Sequence, residues 1–514
     1  MFFQGAIFDL DNTLYNHKIS EKKAYKEIEK YLQNKYNITN VENYLFRIKQ
    51  NLKYEINNTA SSHNRFIYFK KLIEELNLEY DEVEKLNIIY WDIFLNDIIL
   101  YPKIIEFFEF LKKIKIKIII LTNFQTEYQF KKLNKLKILN FCDYIITSEE
   151  VGIEKPSLKI FNEVVRITGI ERDKLIMLGD DFKNDINGAI NSKIYSFFYG
   201  GKKFEDINYK YSSYTNIEQI YNFFYNFDKE LHNFVKLCNF VGKRFDLVQG
   251  GGGNISFKIK NLLVIKSSGI NMDTIKYNKG YSILNNKEIL KDINNNNFKP
   301  VSNYNIFNNS RASIETYMHS ILKKYTLHIH PIGALNLLVR KNINHIAKEY
   351  FPEVLLINYK TPGVELCKEI MQRNYERYKI FFLINHGLII TSDNLKEIYE
   401  ILNKITIKTE KLSGLDLTKY KEDYVCEDMY INKYLNLLND KFYFPDSVVF
   451  LKDKYYIKCN TLFIKAKNFI EFKNIENLLK ANLLIINNDE EKINLDDKEI
   501  KFLNNWEAEK YRLK

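Results

Sequence analysis

Apolar residues in the first part of the chain fall into short unbroken runs separated by longer stretches of helical spacing. Residues 5–10, GAIFDL, make the first run and predict a buried strand. From about 18 to 100 the apolar positions recur every third or fourth residue among many charges, as in SEKKAYKEIEKYLQNKY and RFIYFKKLIEELNLEY. Short runs then return at KIKIIIL (115–121), DYIIT (143–147), KLIMLGD (174–180) and IYSFFYG (194–200), with helical segments between them. Strands alternating with helices predict an α/β fold with a doubly wound parallel sheet. The helical stretch 18–100 interrupts that alternation after the first strand, so it is expected to form a cap.

A polar, turn-rich passage near 201–230 breaks the pattern, and a helix is expected at about 228–245. Strand-like pieces follow: NISFKI, NLLVIKS, YTLHIHP, VLLINY and KIFFLINHGLIIT. The stretch NNKEILKDINNNNFKP is rich in Asn and ends in Pro, and predicts an exposed loop. Past about 440, YFPDSVVFLKDKYYIKCNTLFIKA predicts paired strands, and a last helix is expected to carry NNWEAEKYR. The expected division is therefore 1–222 with a cap at about 18–100, then 228–430, then a small extension at 440–514.

Composition narrows the partners. With 76 Lys and Arg against 65 Asp and Glu, the net charge is +11, spread along the chain rather than gathered into a basic arm. That suits small anionic substrates and gives no compact nucleic-acid footprint. The five cysteines lie far apart without a CxxC pair, which fits a reducing compartment. MFFQGAIFDL reads as a strand rather than a signal peptide, and the apolar runs fall far short of the roughly 20 residues that span a bilayer. A cytoplasmic protein without a membrane partner is expected.

Chemistry-bearing residues gather at the ends of the predicted strands, where open α/β sheets bind ligands. Asp9, Asp11, Asn12 and Thr13 follow the first, Thr122 and Asn123 the second, and Asp180, Asp181 and Asp185 the LIMLG strand. Lys155 stands before a helix in GIEKPSLKIF. Carboxylates alone repel phosphate, so Mg²⁺ held by Asp9, Asp180 and Asp185 is expected, with Thr122 and Lys155 on phosphoryl oxygens. Asp9 could then attack phosphorus, and Asp11 protonate the leaving alcohol and activate water. FDLDNTLY, LTN, EKP and GDDFKNDINGA resemble the four motifs of the haloacid dehalogenase superfamily over about 1–222. The resemblance implies Asp9 as nucleophile, Asp11 as acid/base and a phosphatase acting on a small metabolite. The expected Mg²⁺ set is Asp9, Asp11, Asp180 and Asp185, with Thr122, Asn123 and Lys155 binding substrate.

The second half concentrates histidine. Of eight in the chain, His319, His328, His330 and His386 fall in this region. His328 and His330 alternate, so a strand points both to one face, and His386 ends another apolar run. These three are expected to cage Zn²⁺ or a similar metal with one position open. The glycines of QGGGGNIS can cradle a phosphate, KSSG (266–269) can add donors, and Glu315 can act as acid/base, whereas His319 is expected to pack or to support the metal ligands from behind. GGGGNIS, KSSG, HIHP and NHG resemble the class II aldolase/adducin family over about 228–430. SIETYMH, TPGVELCKEI, FPDSVVFL and WEAEKYR look closest to its rhamnulose-phosphate-aldolase-like branch.

This second resemblance implies an α/β domain with a central, mainly antiparallel sheet, and a homo-tetramer. It places Gly252, Gly253, Asn254, Ser268 and Gly269 on phosphate, His328, His330 and His386 on zinc, and Glu315 on the transferred proton. The reaction it implies is zinc-dependent aldol addition or cleavage of a ketose 1-phosphate, giving dihydroxyacetone phosphate and an aldehyde. Two alternatives stay open. One is a dehydratase or epimerase beside a phosphatase, as in methylthioribulose-phosphate salvage. The other is a non-catalytic binding scaffold.

Overall fold

The computed structural model describes residues 3–56, 59–199, 211–249, 251–307, 310–415, 417, 424–426, 428–438, 451, 453–459, 461–466, 469–486 and 498. The chain divides into two compact units. The first is Met1–Val235 with Ile259–Ser267 and Lys276–Ala312, and the second is Lys236–Lys258, Ser268–Ile275 and Ser313–Lys514.

Six parallel strands organise the first unit: β1 (Gly5–Phe8), β2 (Lys117–Thr122), β3 (Tyr144–Thr147), β4 (Leu175–Gly179), β5 (Tyr195–Tyr199) and β6 (Tyr211–Tyr214). Their order is β3-β2-β1-β4-β5-β6. Successive side chains of a strand face opposite ways, and β1 uses both faces. Ile7 joins Ile119, Leu121 and Met177 against Ile160, Phe161 and Val164 of the helix Leu158–Thr168. Phe8 points the other way, its ring 5.7 Å from Phe107 and 5.1 Å from Phe108 on the helix Ile104–Lys113. Helices therefore cover both faces, as the alternating pattern predicts. Burying a side chain such as Phe161 contributes about 2 kcal/mol.

Between β1 and β2 lies the expected helical cap: His17–Tyr36, Val41–Glu55, Arg65–Glu75 and Asp81–Asp97. Asn16 and Asn64 start the first and third helices by accepting from the amides of Ile19 and Ile67, which satisfies otherwise orphaned N–H groups.

Of the turn-rich passage, residues 200–210 lie outside the described residues, and the rest is more regular than expected. It contains β6, and the following helix, Ile217–Gly242, begins well before residue 228. Ile217, Ile220, Phe224 and Phe227 are buried at helical spacing and extend the helix upstream.

Strand β7 (Asn254–Ile259) starts the second group of strands. The next three, β8 (Leu262–Lys266), β9 (Tyr281–Asn285) and β10 (Asn305–Phe307), belong to the first unit and pair antiparallel in the order β10-β9-β8. The Asn-rich stretch between β9 and β10 is not wholly a loop, because Asn286–Asn294 is helical. Ile289 and Ile293 bury one face of it, and Asn285 caps it by accepting from the Glu288 amide at 3.1 Å.

In the second unit, β11 (Tyr325–Ile329), β12 (Val354–Ile357), β13 (Ile380–Leu383) and β14 (Gly387–Ser392) join β7 in the order β7-β11-β14-β13-β12. Only β12 and β13 run parallel. The run KIFFLINHGLIIT is thus two strands folded back on each other, with Asn385 and His386 in the turn. Met318, Leu366, Ile370, Phe381 and Ile389 form a core on one side of this sheet.

Farther along, β15 (Tyr424–Val425), β16 (Tyr455–Lys458) and β17 (Thr461–Ile464) pair antiparallel, and Phe469–Ile486 is helical. The expected strand pairing survives as the β16–β17 hairpin. The segment FPDSVVF and the expected helix carrying NNWEAEKYR lie outside the described residues. No helix among the described residues is long and apolar enough to cross a membrane.

Candidate active sites

Parallel register brings the ends of β1, β2 and β4 to one edge: Phe8 lies level with Ile120 on one side and Leu178 on the other. Asp9 follows at once, and its amide donates to the Leu178 carbonyl at 3.0 Å. The ligand atoms of Asp9, Asp180 and Asp185 all lie within 4.8 Å of one another. Lys155 Nζ donates to Asp9 Oδ1 and to Asp185 Oδ1, each at 2.6 Å. Thr13 Oγ1 is 3.2 Å from Asp9 and 3.1 Å from Asp180, and it accepts from the Asp180 amide.

Other members of the predicted set hold this group in place. Asn123 Oδ1 accepts from the Lys155 amide at 2.8 Å, and its Nδ2 donates to the Lys155 carbonyl at 3.1 Å. Asn123 thereby anchors the lysine loop. The buried Thr122 Oγ1 accepts from Gln129 Nε2 at 2.6 Å. Asp181 instead caps the turn Phe182–Asn187 by accepting from the amides of Lys183 and Asn184. The same π-helical turn aims the buried Asp185 back towards β4. Gly179 is required there, since a Cβ would lie 2.3 Å from Asp185 Oδ2.

The electrostatics follow from three carboxylates sharing one ammonium. Burial pushes Asp9 well above the usual carboxylate range, opposed by Lys155 and reinforced by Asp185 and Asp180. Burial and Asp185 push Asp180 up to about 7. Against the cost of burial, Asp185 and Asp9 hold Lys155 above its usual value. A hard divalent cation would relieve this excess of negative charge, and carboxylate oxygens are the donors it prefers. The donor set therefore fits Mg²⁺.

Asp11 stands apart from that set. Its carboxylate accepts from Tyr15 OH, from Lys132 Nζ at 2.8 and 3.0 Å, and from Gln129 Nε2 at 3.3 Å. Burial would raise it, but Lys132 and His17 outweigh that and hold the carboxyl below its usual range. Of the expected Mg²⁺ set, Asp9, Asp180 and Asp185 cluster, while the Asp11 carboxylate is engaged by Lys132 and Tyr15. Sequence reasoning passed over Lys132, Gln129 and Tyr15. The one available signal was the helical spacing that puts Gln129 and Lys132 on a single face.

The second site uses β7, β11 and the turn before β14. His328, near the end of β11, is buried, with Nδ1 3.1 Å from the Leu388 carbonyl. That contact makes Nδ1 the donor and leaves Nε2 with its lone pair. Nε2 of His328 lies 3.2 Å from Nε2 of His330, and the ligand atoms of His328, His330 and His386 all fall within 4.8 Å of one another. His386 reaches them because β14 pairs with β11, setting Leu388 opposite Ile329.

Burial pushes all three imidazoles down to about 4, so all are neutral and able to ligate at pH 7. Glu315, at the start of the helix Thr316–Ile321, places Oε1 3.3 Å from His328 Nε2 and 3.6 Å from His386 Nε2. Asn254 Nδ2 donates to Glu315 Oε2 at 3.0 Å and to Ser313 Oγ, which accepts from the Glu315 amide at 3.2 Å. Ser313, unnoticed in the sequence, helps hold the glutamate.

Three neutral imidazoles converging beside a carboxylate fit a tetrahedral zinc-type site. The glycine loop packs on the same histidines. Gly253 has φ +69°, and a Cβ there would lie 2.8 Å from the His328 carbonyl; one on Gly252 would lie 3.0 Å from His330 Nδ1. Ser268 and Gly269 lie in the turn after β8, half-buried and exposed respectively. His319 is buried, with Nδ1 2.7 Å from Ser256 Oγ.

A haloacid dehalogenase-like hydrolase model matches residues 3–193, and a class II aldolase and adducin N-terminal domain model matches residues 232–406. Ribulose-1,5-bisphosphate 5-phosphatase of Halopiger xanaduensis is 31% identical over 190 residues, covering 36% of this chain and 80% of that protein. The chain belongs to the haloacid dehalogenase-like hydrolases. Joined to this hydrolase in the same chain is a class II aldolase domain. Glyceraldehyde 3-phosphate phosphatase of Methanocaldococcus jannaschii is 28% identical, covering 44% of this chain and 99% of that protein. Among solved structures, the N-terminal class II aldolase domain of a conserved protein from Thermoplasma acidophilum is 25% identical with a TM-score of 0.33, covering 35% of this chain and 92% of that one. The hydrolase is a phosphatase with sugar-phosphate phosphatases among its relatives.

Proposed function

We propose that this chain is a bifunctional sugar-phosphate enzyme. One site, at 1–222, hydrolyses a phosphate monoester. The other, at 228–430 with the extension 440–514, makes or breaks a carbon–carbon bond in a ketose 1-phosphate. The observation that carries the proposal is that two sets of ionisable side chains converge in one chain. Lys155 bridges Asp9 and Asp185, and Glu315 lies within 3.6 Å of two of the three converging histidines. A scaffold with spent sites would have no reason to keep four ionisable groups converging at each.

At the first site a carboxylate oxygen of Asp9 attacks phosphorus, and the bond to the alcohol oxygen breaks. Asp11, ionised in the free site, would take up a proton when the anionic substrate binds, give it to that oxygen, and then take one from the water that hydrolyses the aspartyl-phosphate. Lys155 and Thr122 hold phosphoryl oxygens. Mg²⁺, held by Asp9, Asp180 and Asp185, supplies charge neutralisation. At the second site Gly252, Gly253, Asn254, Ser268 and Gly269 hold the substrate phosphate, which stays intact. Glu315 moves the proton on carbon, and Asn254 and Ser313 keep its carboxylate oriented. Zn²⁺, held by His328, His330 and His386, supplies Lewis acidity at the substrate oxygens. Aldol addition is reversible and phosphate hydrolysis effectively is not, so the pair would run towards a free sugar. Glyceraldehyde 3-phosphate and ketose 1-phosphates are the substrates to try first.

The test separates the two activities. Asp9→Asn is expected to abolish phosphate release and leave formation of dihydroxyacetone phosphate from a ketose 1-phosphate intact; Glu315→Gln is expected to do the reverse. Loss of both activities from either single change, in a folded protein, would overturn the two-site reading. Failure to form dihydroxyacetone phosphate from any ketose 1-phosphate would overturn the aldol assignment in favour of dehydration or epimerisation.

A further inference from the structure

We propose that Lys132 is a positioning residue of the phosphatase site, fixing the orientation of the Asp11 carboxylate. Lys132 lies on the helix Thr126–Lys135 and is 0% exposed. Its neighbour Lys131 does what lysines on a helix surface commonly do, reaching into solvent to pair with Glu127 one turn back at 2.6 Å. Lys132 points inward instead and donates to both oxygens of Asp11. Its ammonium sits 4.7 Å from the centre of the Phe124 ring and 5.5 Å from that of Phe94, both within cation–π range.

The remaining contacts leave Asp11 little freedom to turn. Tyr15 donates to Oδ1 and Gln129 to Oδ2. Gln129 also donates to Thr122 Oγ1, so the same helix face ties the acid/base to a phosphate-binding residue. Lys132 itself makes no such contact with Asp9, Asp180 or Asp185, which are served by Lys155 and Thr13. Its hydrogen bonds to the acidic groups of the site are those to Asp11. Burying a lysine is costly, and an apolar side chain would pack there more cheaply. The charge is retained where it defines the direction of one carboxylate.

This inference rests on the reading of Asp11 as the acid that protonates the departing alcohol. An alkyl ester needs that proton, whereas the nitrophenolate of p-nitrophenyl phosphate departs without it. The full chain with Mg²⁺ is assayed on glyceraldehyde 3-phosphate and on p-nitrophenyl phosphate, comparing kcat/KM, which reports the steps up to release of the leaving group. Lys132→Met is expected to lower kcat/KM about tenfold or more on the alkyl ester and less than about threefold on the aryl ester. Lys132→Arg, which keeps the charge, is expected to recover much of the alkyl-ester rate. If Lys132→Met does not fold, Lys132→Gln takes its place in the same comparison. Equal losses on both substrates mean a structural or phosphate-binding role and overturn the inference. Asp11→Asn is the control: if it spares the alkyl ester, the reading of Asp11 falls and this inference with it, whereas a selective loss there with equal losses at Lys132 sinks the inference alone.

Discussion

Asp9, Asp180 and Asp185 bring three carboxylates together around the single ammonium of Lys155, and the balance between them is steric as much as electrostatic. The Asp185 carboxylate fits only because residue 179 has no side chain. Gly179→Ala is expected to push that carboxylate away, lowering Mg²⁺-dependent kcat about 100-fold and stability by about 1–3 kcal/mol. Steady-state kinetics over a Mg²⁺ titration, with a denaturation curve, checks both; unchanged kcat at saturating Mg²⁺ would contradict it. Asp9, Lys155, Asp180 and Asp185 were legible in the sequence because each follows a recognisable strand or precedes a helix. Lys132 and Ser313 were not. A buried lysine and an exposed one look alike in a helical pattern, and a serine that braces a glutamate two residues away has no periodicity to reveal it.

The cap is an element held together by charge as well as by its apolar faces. Arg65, buried on the third cap helix, donates to Glu21 Oε1 at 2.7 Å, to Tyr90 OH at 3.1 Å and to the His63 carbonyl at 2.6 Å. Burial would raise Glu21, but Arg65, His17 and Lys49 override it and lower it from an ordinary 4.5 to about 2. A carboxylate lowered in the folded state contributes stability that is complete above its unfolded value and lost as pH falls through the folded one. Glu21 should therefore stabilise the cap fully above about pH 4.5 and progressively less towards pH 2. Arg65→Met leaves the carboxylate without its main partner and is expected to cost about 3–5 kcal/mol at pH 7. The gap between wild type and variant, read from denaturant unfolding, should narrow from pH 4.5 downwards; a constant gap would show that the pair is not the cause. At this scale the cap and the parallel strands were legible from apolar spacing. The helix Asn286–Asn294 was hidden because its Asn-rich flanks outweigh the pair Ile289 and Ile293 that buries it.

For the whole molecule, the two donor sets predict two metals with separate consequences. Treatment with a chelator is expected to remove both activities; Mg²⁺ alone should restore phosphate release and Zn²⁺ alone the carbon–carbon reaction. Restoration of both by one metal, with metal content measured alongside, would refute that division. The sequence by itself determined the order of the two candidate sites, the cap between the first and second strands, and the nature of each donor set. It could do so because strand periodicity and strand-end position are local properties. Tertiary structure alone decided which of those residues meet. It gave Lys155 to Asp9 and Asp185, set Asp11 against Lys132 and Gln129, and folded KIFFLINHGLIIT back so that His386 joins His328 and His330. Those pairings depend on register between strands and on which helix face is buried, both fixed by contacts between residues far apart in the chain.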